Sequence, residues 1–308
     1  MSSKVVVVGS SNTDMIIKLD RLPQPGETLL GGEFSTAAGG KGANQAVAAA
    51  RAGGAVTFIA RVGDDMFGRL AVEGFASDGV DVRHVLPDPG APSGVALIFV
   101  DRHGENSIAV ASGANARLSP ADVRGAGDVI RSADILVTQL ETPLETVHAA
   151  VELAASHGVP VLLNPAPAQT LGAEILQHVS VLTPNETEAA LLTGIEVSSE
   201  SGAEAAARKL AAAGVAQVII TLGSRGAFVY GSNHKQLVAG FPVKAVDTTA
   251  AGDVFNGALA VALANGSKLV DAVRFANAAA ALSVTKLGAQ PSAPTRVEIE
   301  QFLHRDHP

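Results

Sequence analysis

The chain has 308 residues and 47% hydrophobic content, which is ample for a sizeable core, and we expect one main core. A formal net charge of −8, without any basic stripe, argues against a nucleic-acid or anionic-membrane partner. The absence of cysteine excludes disulfides and thiolate metal sites, and the sequence has neither a signal-peptide nor a membrane-span pattern, so a cytoplasmic enzyme is expected.

Short apolar runs alternate along the chain with Ala/Leu-rich amphipathic segments, a pattern typical of βαβ units. It predicts an α/β fold: a three-layer, doubly wound, mostly parallel sheet with helices on both faces. The predicted strands are Val5–Val8, Val56–Ala60, Ile135–Thr138, Val159–Leu163, Val179–Leu182 and Val218–Thr221. The predicted helices are Asn44–Ala52, Phe67–Ser77, Leu144–Ser156, Glu186–Leu192, Ala203–Ala213 and Val254–Ala264.

Two stretches break this rhythm. Thr13–Thr36 and Ser93–Ser112 alternate apolar and polar residues with Gly-rich interruptions, as half-exposed antiparallel strands do. They predict a small β-sheet lid; the alternative is an extra antiparallel edge on the main sheet. The predicted division is a main nucleotide- and substrate-binding domain of residues 1–12, 39–92 and 113–308, and a lid of residues 13–38 and 93–112.

A glycine-rich cluster, Gly39-Gly40-Lys41-Gly42-Ala43-Asn44, precedes an Ala-rich helix. Its glycines let a ligand approach the backbone, and Lys41 and Asn44 supply donors that can hold sugar hydroxyls. Gly42 stands where a Walker A loop needs Ser or Thr, and Gln45 replaces the third glycine of a dinucleotide fingerprint. A tight turn into the helix is the alternative interpretation.

The segment Ala250-Ala251-Gly252-Asp253 is a run of small residues that ends in one carboxylate at the start of an apolar helix. Backbone N–H groups of the small residues can face an anion at the positive end of that helix. Asp253 would then lie where a transferred phosphoryl group meets an acceptor hydroxyl, and could act as a general base. An ordinary helix N-cap is the alternative.

Six motifs, in this order and from the first strand to the last helix, resemble the ribokinase family of carbohydrate kinases. They are Gly9-Ser10-Ser11-Asn12-Thr13-Asp14, Gly39-Gly40-Lys41-Gly42-Ala43-Asn44, Asn164-Pro165-Ala166-Pro167-Ala168, Thr183-Pro184-Asn185-Glu186-Thr187-Glu188, Thr221-Leu222-Gly223-Ser224-Arg225-Gly226 and Gly288-Ala289-Gln290-Pro291-Ser292. Each motif alone is weak, whereas their ordered coincidence strongly indicates the family.

The resemblance implies ATP-dependent phosphorylation of D-ribose at O5 to D-ribose 5-phosphate. It also implies Mg²⁺ with ATP, K⁺ as an activator, and a homodimer formed through the lid. The implied catalytic residues are Asp253 as base and Ala250, Ala251 and Gly252 as anion hole, and the implied substrate-binding residues are Asn12, Asp14, Gly40, Lys41, Asn44, Glu141 and Asp253. The implied nucleotide residues are Asn185, Glu188, Thr221, Gly223, Ser224, Gly226, Gly252 and Asn277, and the implied potassium positions are Asp247, Thr249, Ser283, Lys286, Gly288 and Ser292.

Several of these assignments have ordinary structural alternatives. Asp14 follows the first strand, where open parallel sheets place ligands, but it could be a turn residue. Lys41 could be a surface lysine and Glu141 a solvated strand end. The loop after Thr221 could be a plain hairpin turn, and Asn277 could lie on the exposed face of its helix.

Asn185 and Glu188 stand three residues apart at a helix start, so both can face one side of the first turn. The resemblance implies that they position magnesium and phosphate through water, which suits an ion that sheds its hydration shell reluctantly. A capping arrangement is the alternative, and we favour the functional role because capping boxes normally start with Ser or Thr.

The sequence departs from the family at Ala250, where many members have Gly. We expect the Ala amide to serve equally well unless the backbone there requires a positive φ. The competing functions are a kinase of the same family acting on deoxyribose, another sugar or a nucleoside, and, from another class, a non-catalytic sugar or nucleotide sensor. A sensor has no need of Asp253, and the absence of G-x-G-x-x-G argues against a dehydrogenase.

Overall fold

The computed structural model describes residues 3–305 and contains thirteen strands within that range. The strands are β1 (Lys4–Val8), β2 (Asn12–Lys18), β3 (Glu33–Gly39), β4 (Ala55–Gly63), β5 (Asp81–Asp88), β6 (Gly94–Val100), β7 (Asn106–Ala111), β8 (Ile135–Thr138), β9 (Val161–Leu163), β10 (Val181–Leu182), β11 (Gln217–Thr221), β12 (Gly226–Gly231) and β13 (His234–Ala239).

The α-helices of the same range carry the apolar faces that cover the main sheet. They are α1 (Lys41–Arg51), α2 (Met66–Ser77), α3 (Pro120–Gly125), α4 (Gly127–Arg131), α5 (Leu144–Ser156), α6 (Ala173–Leu176), α7 (Glu186–Thr193), α8 (Glu200–Ala212), α9 (Ala251–Ala264), α10 (Leu269–Ser283) and α11 (Arg296–Arg305). Among the described residues, no helix is long and apolar enough to cross a membrane.

The main sheet has nine strands in the order β13-β12-β11-β10-β9-β8-β1-β4-β5. Its pairs are parallel from β5 to β11, whereas β12 and β13 add an antiparallel edge. The predicted doubly wound sheet with helices is therefore confirmed. Sequence patterning missed β5, β12 and β13, since these strands carry polar or glycine residues and lie at or next to an edge of the sheet.

Alternate residues of the central strands belong to two separate hydrophobic cores, one on each face of the main sheet. Val5 and Val7 pack with residues of α1, α9 and α10, whereas Val6 and Val8 pack with residues of α5 and α8 on the opposite face. Side chains of a strand alternate between faces, so one short Val run supports both layers. The small residues of α1 and α9 let these two helices pack closely on one face of the sheet.

A second sheet of four strands, in the order β3-β2-β6-β7, is separate from the main sheet. The predicted small sheet is therefore confirmed, and the alternative of an extra edge on the main sheet is wrong. Its pairs are antiparallel except for β2 and β6, which run parallel. β2 begins at Asn12, β3 ends at Gly39 and β6 begins at Gly94, so all three join the main body at one place. We call this sheet the lid.

Candidate active site

Strand ends and helix starts converge at the edge of the main sheet where its parallel strands end. There lie Asp14, Lys41, Asn44, Glu141 and Asp253, which we call the acceptor cluster. Asp14 lies in β2, Lys41 and Asn44 in the first turn of α1, Glu141 after β8, and Asp253 in the first turn of α9. Asp14 is thus a strand residue, and its alternative interpretation as a turn residue is wrong. The predicted helix start at Asn44 is also late by one turn, because α1 begins at Lys41.

Asp253 has an environment unlike that of a simple helix cap. Its side chain does not cap α9, and the residue is only 6% exposed. Asn44 Nδ2 donates to Asp253 Oδ2 at 2.9 Å, and Gln45 Nε2 donates to Asp253 Oδ1 at 3.0 Å. Burial raises the pKa of Asp253, an effect that Lys41 and these amide hydrogen bonds partly offset. A buried carboxylate with a raised pKa at a helix start is suited to accept a proton.

Mutual charge dominates the rest of the acceptor cluster. Burial, together with the charges of Glu141 and Asp253, raises the pKa of Asp14 to about 6. Burial alone would lower the pKa of Lys41, but the carboxylates of Asp253, Glu141 and Glu188 raise it above its usual value. Lys41 therefore stays protonated at neutral pH and balances part of the negative charge. It is half-buried and does not behave as an ordinary surface lysine.

Glu141 is hydrogen-bonded both to the loop that follows β1 and to the start of α1. Its Oε2 accepts hydrogen bonds from Ser10 Oγ at 2.5 Å and from Lys41 N at 2.9 Å. The alternative interpretation of Glu141 as a solvated strand end is therefore wrong. The sequence did not single out Ser10 as a site residue, although it lies in the first motif.

Glycines next to the lid make room for polar side chains. A Cβ on Gly39 would lie 2.3 and 2.4 Å from the carboxylate oxygens of Asp14, so a larger residue would force that carboxylate to move. Gly40 has a φ of 89° and caps α1, with its backbone against Asn12. Asn12 is buried, and its Oδ1 accepts from Asn115 Nδ2 at 2.8 Å, so its position is fixed from outside the lid.

The predicted anion hole lies at the start of α9, where the backbone of Ala250 adopts a conformation that is unusual for alanine. Ala250 has φ 58° and ψ 13°, the left-handed region, and it is the one non-glycine residue among residues 3–305 with a positive φ. The one condition under which Ala was expected to differ from Gly at this position, a positive φ, is therefore met. Ala251 N donates weakly to Thr248 O at 3.3 Å. Within the described chain, the amides of Ala250, Gly252 and Asp253 have no protein acceptor, so these three amides are available to an anion.

A pocket of about 660 Å³ adjoins this helix start and brings together most of the predicted nucleotide residues. Its walls combine the β11–β12 loop with apolar residues before α9 and the small residues of α10. The predicted members are Thr221, Gly223, Ser224, Gly226, Gly252 and Asn277, and members that the sequence did not suggest include Phe241, Pro242, Val243, Phe255 and Val284. We call it the nucleotide pocket.

Two predicted members of the nucleotide pocket, the loop after Thr221 and Asn277, had ordinary structural alternatives, and the structure supports only the first alternative. The loop after Thr221 does join an antiparallel hairpin, β11 to β12, and also lines the pocket. Asn277 is buried, which rules out its interpretation as an exposed residue, and its Nδ2 donates to the carbonyl oxygens of Val238 and Ala239 at 3.1 and 3.2 Å. Asn277 therefore joins β13 to α10 at the pocket wall.

Asn185 and Glu188 form a reciprocal capping box. Asn185 Oδ1 accepts from Glu188 N, and Glu188 Oε2 accepts from Asn185 N, each at 2.8 Å. The capping alternative therefore holds, because Asn caps as well as Ser or Thr, and the functional role of the pair stays a prediction. Thr221 N donates to Pro184 O at 3.0 Å, which places this cap beside the nucleotide loop. Burial raises the pKa of Glu188, and the charge of Asp253 adds to the effect.

The six predicted potassium positions, Asp247, Thr249, Ser283, Lys286, Gly288 and Ser292, lie on two segments that meet. Asp247 Oδ1 accepts from Thr249 N at 2.9 Å and Asp247 Oδ2 from Gly288 N at 2.8 Å. Burial raises the pKa of Asp247, but these hydrogen bonds outweigh it and hold that pKa below its usual value. Lys286 Nζ pairs with Glu298 at 2.9 Å, so its side chain points to α11.

The functional residues that the sequence did not suggest include three buried amides beneath the acceptor cluster: Gln45, Gln139 and Asn164. Of the three, only Gln45 is hydrogen-bonded directly to Asp253. One signal was available, because Gln45 interrupts a run of Ala and Val residues in a helix that must bury that face. Gln139 and Asn164 follow buried strands and gave no periodic signal of their own.

The comparisons with known proteins agree with this geometry. A model of the pfkB family of carbohydrate kinases matches residues 2–296. A ribokinase from Haemophilus influenzae is 47% identical over 303 residues, which cover 98% of this chain and 99% of the relative. A deoxyribokinase from Salmonella typhi is 40% identical over 300 residues, which cover 97% and 98%. The structure of Arabidopsis thaliana ribokinase complexed with ribose and ATP matches with a TM-score of 0.92 at 35% identity, over 98% and 99% of the two chains.

The chain therefore belongs to the pfkB family of carbohydrate kinases, and the predicted resemblance is confirmed. It is an ATP-dependent sugar kinase, a phosphotransferase with an alcohol acceptor.

Proposed function

We propose that this chain transfers the γ-phosphoryl group of ATP to the O5 hydroxyl of D-ribose, giving D-ribose 5-phosphate and ADP. The observation that carries the proposal is the place of Asp253, which belongs to the acceptor cluster and directly follows Gly252 of the nucleotide pocket at the start of α9. The ribokinases among the relatives, at 47% and 35% identity over nearly the whole chain, support ribose as the acceptor.

In the proposed mechanism, Asp253 accepts the proton of the O5 hydroxyl as that oxygen attacks the γ-phosphorus. The bond from the γ-phosphorus to the bridging oxygen breaks, and ADP leaves with that electron pair. The amides of Ala250, Gly252 and Asp253, which have no acceptor within the described chain, would with that of Ala251 face the developing negative charge. A positioned base contributes about 10²–10⁴ in rate.

The sugar would be held by hydrogen bonds. Asp14 accepts from hydroxyl groups, and Lys41 donates to them. Asn44 Nδ2 is already bonded to Asp253, whereas Asn44 Oδ1 is buried without a partner within the described chain and can accept a sugar hydroxyl. Asn12, Gly40 and Glu141 complete the proposed substrate-binding set, with the lid of residues 13–38 and 93–112 as a separate unit over the site.

The family implies that ATP arrives with Mg²⁺, which neutralises phosphate charge and orients the transferred group. Residues 3–305 contain no group of three or more His, Cys, Asp or Glu side chains that could hold a metal. Glu188 Oε1 and Asn185 Nδ2 lie outside the capping box and beside the nucleotide loop. Glu188 Oε1 would accept hydrogen bonds from the waters of Mg²⁺, and Asn185 Nδ2 would donate to a phosphate oxygen.

The potassium assignment also remains a proposal. Val284 O accepts from the amides of Val246 and Asp247, and Asp247 binds Gly288 N, so the two segments are already joined. Carbonyl and hydroxyl oxygens in these segments suit a hard cation, whereas Lys286 could contribute only its carbonyl. A bound K⁺ would order the loop that leads into Ala250 without touching substrate.

Homodimerisation through the lid and a cytoplasmic location are further proposals. Large apolar side chains of the lid are exposed, namely Phe34 (65%), Ile108 (54%), Val110 (54%) and Leu97 (46%), and a partner could cover them. Sedimentation of the wild type and of a Phe34→Asp, Val110→Asp double variant tests the dimer. A monomeric wild type contradicts it.

The acceptor is tested by ADP release over ribose, 2-deoxyribose, fructose and adenosine, each in potassium and in sodium buffer. We expect the highest kcat/KM on ribose, with more turnover in potassium. Preference for 2-deoxyribose would favour the second candidate, which the Salmonella typhi deoxyribokinase at 40% identity supports. Equal rates in both buffers contradict the potassium site.

A further inference from the structure

The base Asp253 is held by an amide that belongs to no predicted site. Gln45 lies in α1 and is 0% exposed. Its Nε2 donates to Asp253 Oδ1 at 3.0 Å and to Asn164 Oδ1 at 3.1 Å, and its Oε1 accepts from Gln139 Nε2 at 2.7 Å. All the strong hydrogen-bonding groups of this side chain are therefore used within the protein.

The direction of every hydrogen bond in this chain of amides follows from one backbone carbonyl. Asn164 Nδ2 donates to Thr183 O at 3.0 Å, and a carbonyl oxygen can only accept. Asn164 must therefore turn its oxygen toward Gln45, and Gln45 must turn its NH₂ group toward Asn164 and Asp253. Gln45 Oε1 is then left to accept from Gln139. No amide can be flipped without losing a hydrogen bond.

We propose that Gln45 is a positioning residue for phosphoryl transfer: supported by Gln139 and Asn164, it fixes Asp253 Oδ1, so that the carboxylate stays aimed at the acceptor hydroxyl. The proposal rests on the proposed function, in which Asp253 is the base. Gln45 has no exposed surface and is thus placed to act through Asp253 and not on the sugar.

A purely structural role would not need this arrangement. An aliphatic residue of similar length would fill the same space in α1, whose buried positions after Gln45 are all Ala or Val. The carboxamide costs free energy to bury and regains it only through its partners. What the amide adds at this position is a hydrogen-bond donor to the carboxylate of Asp253, the proposed base.

Gln45 also favours the ionised form of Asp253, because it donates to the carboxylate. The other charged groups that act on Asp253 are Lys41 on α1 and Glu141 after β8, and Asp253 in turn acts on Asp14 in β2 and Glu188 on α7. These groups remain in place when Gln45 changes. Loss of the Gln45 donor should therefore raise the pKa of Asp253 further.

The test compares Gln45→Met, Gln139→Met and Thr146→Val with the wild type. Gln45→Met keeps the length and removes the donor, whereas Gln139→Met removes only the support of Gln45. Thr146→Val is the matched control, since it deletes a buried hydrogen bond, Thr146 Oγ1 to Leu118 O at 2.6 Å, remote from the site. Urea unfolding shows that each variant is folded before kinetics are measured.

For Gln45→Met we expect kcat to fall about 10- to 100-fold, as for partners that orient catalytic groups. The KM for ATP should stay within about twofold, and the acidic limb of the kcat profile should move to higher pH. Gln139→Met should show the same changes to a smaller extent. This variant provides the test if Gln45→Met does not fold. Thr146→Val should change stability alone.

Two results overturn the proposal in different ways. If Gln45→Met or Gln139→Met keeps the kcat and the pH profile of Thr146→Val while Asp253→Asn is inactive, the positioning role is wrong and the proposed function stands. If Asp253→Asn retains wild-type turnover, the base assignment fails and the role of Gln45 fails with it.

Discussion

Ala250 offers a test of the backbone at the proposed anion hole. Its φ of 58° places a Cβ in the left-handed region, which costs about 1–2 kcal/mol for an L-residue other than glycine. Ala250→Gly removes this cost, and the freer unfolded chain offsets about 0.4–1 kcal/mol of the gain. We therefore expect the free energy of unfolding to rise by about 0.5–1 kcal/mol. For a chain of 308 residues this is about 1 °C in Tm.

The same chemical change in an ordinary helix has the opposite sign. Ala205 lies in the middle of α8 and is only half-buried. Ala205→Gly should lower the free energy of unfolding by about 1 kcal/mol, because glycine disfavours a helix interior. The two variants should therefore differ by about 1.5–2 kcal/mol, which urea unfolding followed by circular dichroism resolves.

Ala250→Gly should leave the activity nearly unchanged. Gly at position 250 leaves the backbone amides in the same directions, so kcat should stay within about twofold of the wild type. The reasoning is refuted if Ala250→Gly destabilises as much as Ala205→Gly. Such a result would mean that Ala250 does not adopt a positive φ in solution, and that α9 begins with a different backbone geometry.

Three further substitutions test the acceptor cluster and the nucleotide pocket. Gly39→Ala places a Cβ within 2.4 Å of the Asp14 carboxylate, and should raise the KM for the sugar at least tenfold while leaving the KM for ATP unchanged in steady-state assays. The pKa of about 6 for Asp14 means that its protonated form stabilises the fold at low pH and that this contribution is lost as pH rises through about 6. Asp14→Asn should therefore raise the free energy of unfolding at pH 8, by up to about 3 kcal/mol, and leave it unchanged at pH 4, in urea titrations. Asn277→Leu leaves the carbonyls of Val238 and Ala239 without their donor, and should lower the free energy of unfolding by about 1–3 kcal/mol and raise the KM for ATP.

Each of these has a clear contrary result. If the KM for the sugar is the same in Gly39→Ala as in the wild type, Asp14 does not bind the sugar. A stability gain of Asp14→Asn that is as large at pH 4 as at pH 8 would show that charge is not its cause. An unchanged KM for ATP in a destabilised Asn277→Leu would separate Asn277 from the nucleotide site.

Much of the fold was predictable because its central strands and helices carry strong periodic patterns. The predicted strand Ile135–Thr138 and helix Leu144–Ser156 match β8 and α5 residue for residue. Strand β5 was missed because a helix separates it in sequence from its partner β4, whereas β12 and β13 were missed because glycine and polar residues weaken their patterns. Helix starts were placed late at α1 and α9, because glycine and lysine in a first turn weaken the pattern that marks a helix.

The site was predictable where motifs carry it and not where tertiary contacts do. Asp253 and Lys41 belong to distinctive segments, and both lie in the acceptor cluster. Gln45 could be chosen only with the contact to Asp253 in view, because a buried glutamine is commonly a core residue. The positive φ of Ala250 also depends on packing around α9, and the local sequence does not signal it.

The most direct test of the account is the turnover of Asp253→Asn on ribose with ATP and Mg²⁺, measured together with ATP affinity by titration calorimetry. We predict that kcat falls at least about 100-fold, while the far-ultraviolet circular dichroism and the affinity for ATP stay unchanged. A variant that keeps more than about a tenth of the wild-type kcat would contradict Asp253 as the base, and with it the proposed mechanism.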